Sequence, residues 1–329
     1  MNRTVQSSSA LPQKSGSGFA SFASKYGIVL VLLVLCTISA LLSPVFLTAS
    51  NILNVLRQTC VVALVAFAEA VLIISGGIDL AAGSTMCLTG VLAIPIYVAT
   101  NSVIISLSLT ILIGITIYFI VGFLVAIFNV PPFVATLAMN MAARGAVKVY
   151  TGGVTITQTG ENFSWMGQGY VGVIPIPVIV MISATIALWI VLSKTRFGRN
   201  LYAMGGNPEA ARASGINLKR YRIYSFLFAG VFIGIAGYMF TSRLNAGVPT
   251  GGAGYEGQGI SSAIIGGVGF AGGTGSAWGV LVGALIMGVI SNILNLMKVD
   301  SYVQEIINGA IIISAVILDL QTKKRKFGR

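Results

Sequence analysis

Long uncharged runs separated by short polar islands set the pattern of this chain. No charged residue falls between Lys25 and Arg57, between Asp79 and Arg144, between Glu161 and Lys194, or between Glu256 and Lys298. Each run equals or exceeds the ~20 apolar residues with which a helix crosses ~30 Å of hydrocarbon. The runs are continuous rather than short and alternating. This predicts helices, which satisfy their own backbone groups in lipid, and not the strands of a β-barrel. Apolar length and chain breakers place about ten membrane segments near 27–47, 52–74, 84–99, 103–128, 131–150, 173–193, 222–242, 259–276, 278–297 and 302–320, the third and eighth being partial or re-entrant candidates. The expected fold is all-α, a polytopic transmembrane helical bundle.

Composition agrees with the pattern. Hydrophobic residues make up 56% of the 329 positions, charged residues only 9%, and the mean hydropathy is +0.92. Soluble domains carry about a quarter charged residues. The net charge of +12 is concentrated beside apolar runs and at the tail. It therefore reads as a topology signal facing the acidic inner leaflet of the lipid bilayer, not as a nucleic-acid footprint. The chain divides into a polar tail over 1–25, a membrane domain over 26–322 and a basic tail over 323–329. The apolar run after the first tail is too long for a signal-peptide core, so that tail is expected to be retained and cytoplasmic.

The densest polar island is 194–222, with Lys194, Arg196, Arg199, Arg212, Lys219, Arg220 and Arg222 against the single acid Glu209. With the N-terminus inside, six crossings return this loop to the inside and four more leave the C-terminal tail there, which is the positive-inside pattern. Arg57, Arg144 and Lys148 fit less well, because the same count puts them toward the outside. Within the island, residues 207–215 predict a short, fully capped helix. Asn207 suits the N-cap and Pro208 the first helical position. Glu209 offsets the dipole, and Gly215 suits the left-handed residue that ends a helix. A helix of two turns is marginal alone in water, so it is expected to rest on the membrane segments or on a partner.

Glycine, at 40 residues, is abundant inside the apolar stretches. Gly230/Gly234 and Gly279/Gly283 have the spacing that lets membrane helices approach closely. Two glycine-rich breaks, IISGGIDLAAGS (73–84) and IIGGVGFAGGTGS (264–276), resemble each other, and paired interruptions of this kind point to a transport pathway. The polar stretches 151–172 and 245–258 are expected on the outer side. They either cap the bundle or contact an external partner.

The missing chemistry narrows the function. There is no histidine, which removes histidine-ligated metals and serine–histidine triads. Neither GxxxxGK[ST] nor GxSxG occurs, so no ATP-binding P-loop and no nucleophile elbow is expected, and intrinsic enzymatic activity is not. Cys36, Cys60 and Cys87 lie in or beside apolar segments and read as packing residues. Of the ionisable residues within spans, Glu69, Asp79, Arg144 and Glu305 are the candidates for function. Asp79 sits in a glycine break, where it caps the next helix or holds the loop. Glu69 faces a polar path or pairs with a neighbouring helix.

The strings TRFGRNLYAMGGNPEAARASGIN, SGGIDLAAGS, NVPPFVATLAM, GYEGQGISSAIIGGVGFAGGTGS and NILNLMKVDSYVQEIINGAIII resemble the permease subunit of bacterial ribose-type ABC sugar importers across roughly residues 40 to 320. The resemblance implies a type II ABC importer-like bundle whose cytoplasmic loop couples to an ATPase. The residues matching that loop are Gly198, Arg199, Gly205, Gly206, Asn207, Glu209, Ala210, Arg212, Ser214 and Gly215. Asp79 and Gly83 match the GGIDL motif and the glycine after it, although AAGS stands here where SVGS is more usual. With Glu69, they are the translocation-pathway candidates. The resemblance further implies a monosaccharide cargo, a separate ABC ATPase that binds the ATP, a soluble periplasmic sugar-binding protein, and a homodimer in the bacterial inner membrane. The low charge of the spans fits a neutral polyol. The alternative is a secondary transporter or channel for a small neutral solute, or a membrane scaffold. The shortage of buried carboxylates and the capped docking helix argue against self-sufficient transport.

Overall fold

The computed structural model describes residues 18–157, 159–160 and 162–327. The first seventeen residues of the N-terminal tail and the last two of the basic tail lie outside them. The order is α1 (Gly18–Leu42), α2 (Ala49–Ile74), α3 (Ala82–Thr100), α4 (Val103–Ile127), α5 (Pro132–Thr151), α6 (Trp165–Gln168), β1 (Tyr170–Val171), β2 (Ile174–Pro175), α7 (Ile176–Lys194), α8 (Arg196–Gly206), α9 (Pro208–Ala213), α10 (Leu218–Leu244), α11 (Tyr255–Ile265), α12 (Ala277–Leu296) and α13 (Ser301–Phe327). Among the described residues, six helices are long and apolar enough to cross a membrane: α2, α3, α4, α7, α10 and α12. The apolar parts of α1 and α13 are shorter, at Gly27–Leu42 and Ser301–Ile317.

Every expected segment contains a helix, but several differ in kind. α5 is helical where expected, yet Asn140, Arg144 and Lys148 recur along it at four-residue spacing and give it a polar stripe. The eighth segment is helical only over the 11 residues of α11, about 16 Å, half a membrane thickness. Its glycine-rich remainder, 266–276, is irregular because Gly267, Gly272 and Gly273 all take positive φ. α1 begins at Gly18, inside the stretch assigned to the polar tail. α13 runs on through the basic residues to Phe327, because charge marks where a helix meets water rather than where it ends.

The core is built around α2 and α10. α2 is buried continuously from Thr59 to Ile74. α10 lies against α4, where a Cβ on Gly234 would sit 2.5 Å from Ile111 Cα and one on Gly230 would sit 2.8 Å from the Gly114 carbonyl. Gly279 and Gly283 approach α11 in the same manner, so both glycine pairs serve packing within the chain. Leu30, Leu33, Ile104, Leu112, Ile190 and Ile313 project outward, as lipid-facing side chains do.

One end of the bundle is closed by the 151–172 segment. Ile156 bridges Gly247, Thr159 Oγ1 donates to Asn245 Oδ1 at 2.8 Å, and Phe163 is fully buried between Tyr97 and Tyr238. The segment therefore caps the bundle, and it also pairs the two polar loops. Arg57 belongs to this end: its guanidinium donates to the Gln168 carbonyl at 3.1 Å and lies 4.7 Å from the Tyr170 ring centroid. A cation that the positive-inside pattern does not account for is thus held by local partners.

Near the same end, α2 and α12 are joined by a reciprocal amide pair. Asn51 Nδ2 donates to Asn292 Oδ1 at 3.0 Å, and Asn292 Nδ2 donates to Asn51 Oδ1 at 2.8 Å. Asn292→Leu leaves the buried Asn51 Oδ1 without its donor, while Nδ2 keeps its bond to Phe46 O at 2.9 Å. It should lower stability by about 1–2 kcal/mol, measured as a fall in the thermal unfolding midpoint of the purified protein in detergent.

Candidate functional site

The 194–222 island folds into two helices, not one. α8 was not expected, because its 11 residues lie in an island dominated by charge, although Phe197, Leu201 and Met204 recur at helical spacing. Its apolar stripe is Phe197, Leu201 and Met204, with Leu201 and Met204 buried. Thr195 turns the chain from α7 into α8, donating from Oγ1 to Val191 O at 2.6 Å and accepting from Gly198 N at 3.1 Å. At Gly198 a Cβ would stand 2.4 Å from the Val191 and Leu192 carbonyls, which explains glycine at this corner.

At its other end α8 is pressed onto two segments at once. A Cβ on Gly205 would lie 1.8 Å from Ile74 O and 2.8 Å from Gly273 N, and Gly273 N itself donates to Ile74 O at 2.9 Å. Tyr202 OH donates to the Gly275 carbonyl at 2.9 Å, and burial raises the pKa of this phenol. Arg222, at the start of α10, donates to Ser75 O at 2.9 Å. The two glycine-rich breaks thus meet beneath α8, at the end of α2 and ahead of α12.

α9 matches its expected capping in detail. Asn207 Oδ1 accepts from Ala210 N at 3.0 Å, and Pro208 and Glu209 fill the first turn. At the end, Gly215 takes φ +83°, with Gly215 N bonded to Arg212 O at 3.0 Å and Ile216 N to Ala211 O at 3.1 Å. Only Ala211 is buried. Glu209, Ala210, Arg212, Ser214 and Gly215 are exposed, as is Arg199 on α8. The matched loop residues therefore divide in two: Gly198 and Gly205 sit at close backbone contacts, while the remainder, Gly206 among them, present a surface.

The pathway candidates converge elsewhere, inside the bundle. After α2 ends, the chain turns back through 75–81 and α3 starts within the protein. Asp79 holds this return and does not cap α3: Oδ1 accepts from Ala81 N at 2.7 Å, and Oδ2 accepts from Tyr118 OH on α4. Gly83, in the first turn of α3, meets the head of α11, where a Cβ would lie 2.1 Å from Gly252 O and 2.2 Å from Glu256 Oε2. Glu69 is fully buried one helix away, its Cγ 3.1 Å from where a Cβ on Gly259 would stand. Neither of its oxygens has a hydrogen-bond partner, nor has Glu256 Oε2.

Glu256 escaped the sequence reading because it follows a polar loop and looks extramembranous. Its signal was its position at the start of the long uncharged run that follows. Arg144 Nη2 reaches Glu256 Oε1 at 3.8 Å, Arg144 Nε donates to Asn140 Oδ1 at 3.0 Å, and Asn140 Nδ2 donates to Leu80 O at 2.6 Å. These contacts tie α5 to both the returning segment and α11. Glu305 is exposed on α13 and takes no part among the contacts found here.

Residues 51–316 match the family described as branched-chain amino acid transport system / permease component. The chain belongs to this permease family. It is 38% identical over 295 residues to the ribose import permease protein RbsC of Escherichia coli (strain K12), covering 88% of this chain and 92% of that one. It is 40% identical over 297 residues to RbsC of Bacillus subtilis (strain 168), covering 90% and 92%. It is 35% identical over 322 residues to the D-allose transport system permease protein AlsC of Escherichia coli (strain K12), covering 97% and 98%. No solved structure matches the permease.

The two loop glycines make different demands. Gly205→Ala places a methyl into backbone and should cost about 1–3 kcal/mol by overpacking. Gly206→Ala, whose nearest neighbour would be 3.9 Å away, should be nearly neutral. Thermal unfolding of the two variants side by side checks the contrast.

Proposed function

We propose that the permease is the membrane subunit of an ATP-driven importer that moves a monosaccharide, a pentose or hexose, across a bacterial inner membrane. Two copies would flank the pathway about a twofold axis. A separate cytoplasmic ABC ATPase would bind the ATP and dock on α9, and a soluble periplasmic sugar-binding protein would deliver cargo on the opposite face. Ten crossings with both termini cytoplasmic put the basic island, the basic tail and α9 on the ATPase side. The ribose and allose named for the relatives are neutral polyols, which suits spans carrying few fixed charges.

The observation that carries the reading is mechanical continuity. α9 is exposed on every side but Ala211, and it continues from α8, which bears through Gly205 directly on the end of α2 and the glycine loop ahead of α12. A displacement of α9 on ATPase closure would reach the 75–81 segment without passing through a flexible linker. From there Asp79–Tyr118 and Leu80–Asn140 extend it to α4 and α5. The Arg144–Glu256 contact lies between those parts and α11, so it would change as the bundle rocks between outward- and inward-open states. Secondary transport would leave an exposed, fully capped docking helix without a use.

Exchanging the charges on α9, with Glu209→Lys and Arg212→Glu together, should uncouple transport and leave the protein in the membrane. Sugar uptake and ATPase stimulation in proteoliposomes containing the ATPase and the binding protein provide the measurement. Unchanged values of both would overturn docking at α9, and concentrative uptake by the chain alone would overturn the importer assignment.

A further inference from the structure

A cavity of about 350 Å³ opens between the end of α4, the start of α5, α9 and the start of α10. Its polar side is formed by Arg212, Lys219 and Arg222 with Asn129, and no acid lines it. Arg222 is fixed in place by its bond to Ser75 O at 2.9 Å. The start of α5, where no side chain caps the helix, lies on the same wall and adds the positive end of a 20-residue helix. The other side of the cavity is apolar, made by Val125, Ala126 and Val130. Beside it, Phe128 and Phe133 stand 65% and 51% exposed at the facing ends of α4 and α5.

Three cations concentrated against one apolar wall at the end of membrane helices have an amphiphilic complement. We propose that this cavity is a binding site for the phosphate headgroup of an anionic phospholipid, with acyl chains running along Phe128 and Phe133. Basic pockets between membrane helices hold such headgroups, and the dipole at the start of α5 adds to the attraction, although Pro131 and Pro132 supply no N–H donor. A free inorganic anion would have no use for the apolar side. An acidic group of a partner protein would be matched by the exposed face of α9, not by a recess that reaches Val125 and Ala126 between membrane helices. Because the cavity is shared by α9 and the first turns of α5 and α10, a bound lipid would brace the docking helix against the bundle. The site is independent of cargo, so a failure of sugar uptake would leave it standing.

The test is lipid retention by the full chain, purified in detergent and examined by native mass spectrometry with phosphatidylglycerol or phosphatidylcholine added. The chain should retain phosphatidylglycerol in preference to phosphatidylcholine. Arg212→Gln with Lys219→Gln should reduce that retention roughly tenfold, and Arg196→Gln, at an exposed position of α8, should not change it. Equal retention of the two lipids by the unaltered chain would overturn the proposal without reference to any variant. So would unchanged retention in the double variant. Complete displacement of phosphatidylglycerol by millimolar inorganic phosphate would show that the acyl chains add nothing and assign the cavity to a free anion, and equal retention of phosphatidylglycerol by the double variant with the ATPase subunit bound would assign the cations to a protein partner. Either outcome rules out the lipid.

Discussion

The backbone contact at Gly205 carries the arrangement of the 194–222 end of this permease. A side chain there would stand 1.8 Å from Ile74 O, and that same carbonyl accepts from Gly273 N at 2.9 Å. Three backbones from distant parts of the chain therefore meet with no side chain between them. Such a joint has little compliance, since packed backbones move together rather than past one another. It fixes α8 to the end of α2 and to the glycine loop. Through Tyr202, which reaches Gly275 at 2.9 Å, the fixation extends toward α12. α9 follows α8 directly, so its position relative to the membrane helices is set by the same joint.

A second constraint lies deeper. Polar groups within a bilayer are expensive and persist where they have work. Here Glu69, Asp79 and Glu256 gather where α3 and α11 both begin inside the protein. Only Asp79 has both oxygens engaged, by Ala81 N and Tyr118 OH. The glycines at 83 and 252 let the two helix heads touch backbone to backbone. The 266–276 loop after the short α11 and the returning 75–81 segment are the irregular backbone that a membrane tolerates only when protein surrounds it. The joint under α8 and this polar centre are linked by a few residues of chain, 74 to 79, so loop and interior form one mechanical unit.

The regions legible in advance were those governed by local rules. The capping of α9 followed from Asn207, Pro208, Glu209 and Gly215 alone, because helix-end hydrogen bonds connect residues three to five apart. Each expected segment overlaps a helix for the same reason, since length and apolarity are properties of a segment, although among the described residues only six helices are long and apolar enough to cross a membrane. α8 was missed because it is short and stands in an island that reads as charge, although Phe197, Leu201 and Met204 recur at helical spacing. Glu256 was missed because its neighbours in sequence are polar, while its neighbours in space are Gly83 and Arg144. The eighth segment was read as apolar throughout, although its glycines take conformations that no hydropathy window records.

The sequence by itself determined that this is a helical membrane protein, which segments are greasy, which loop is basic and where a capped helix stands in it. Each depends on the composition of a short window or on hydrogen bonds within one turn. Only the tertiary structure decided that the two glycine-rich breaks meet under α8, that Asp79 holds a returning segment to Tyr118, and that Glu69 and Glu256 face one interior. Those pairings join residues tens to hundreds apart. They exist because glycine lets backbones approach to contact, and which backbones meet is settled by the packing of the whole bundle.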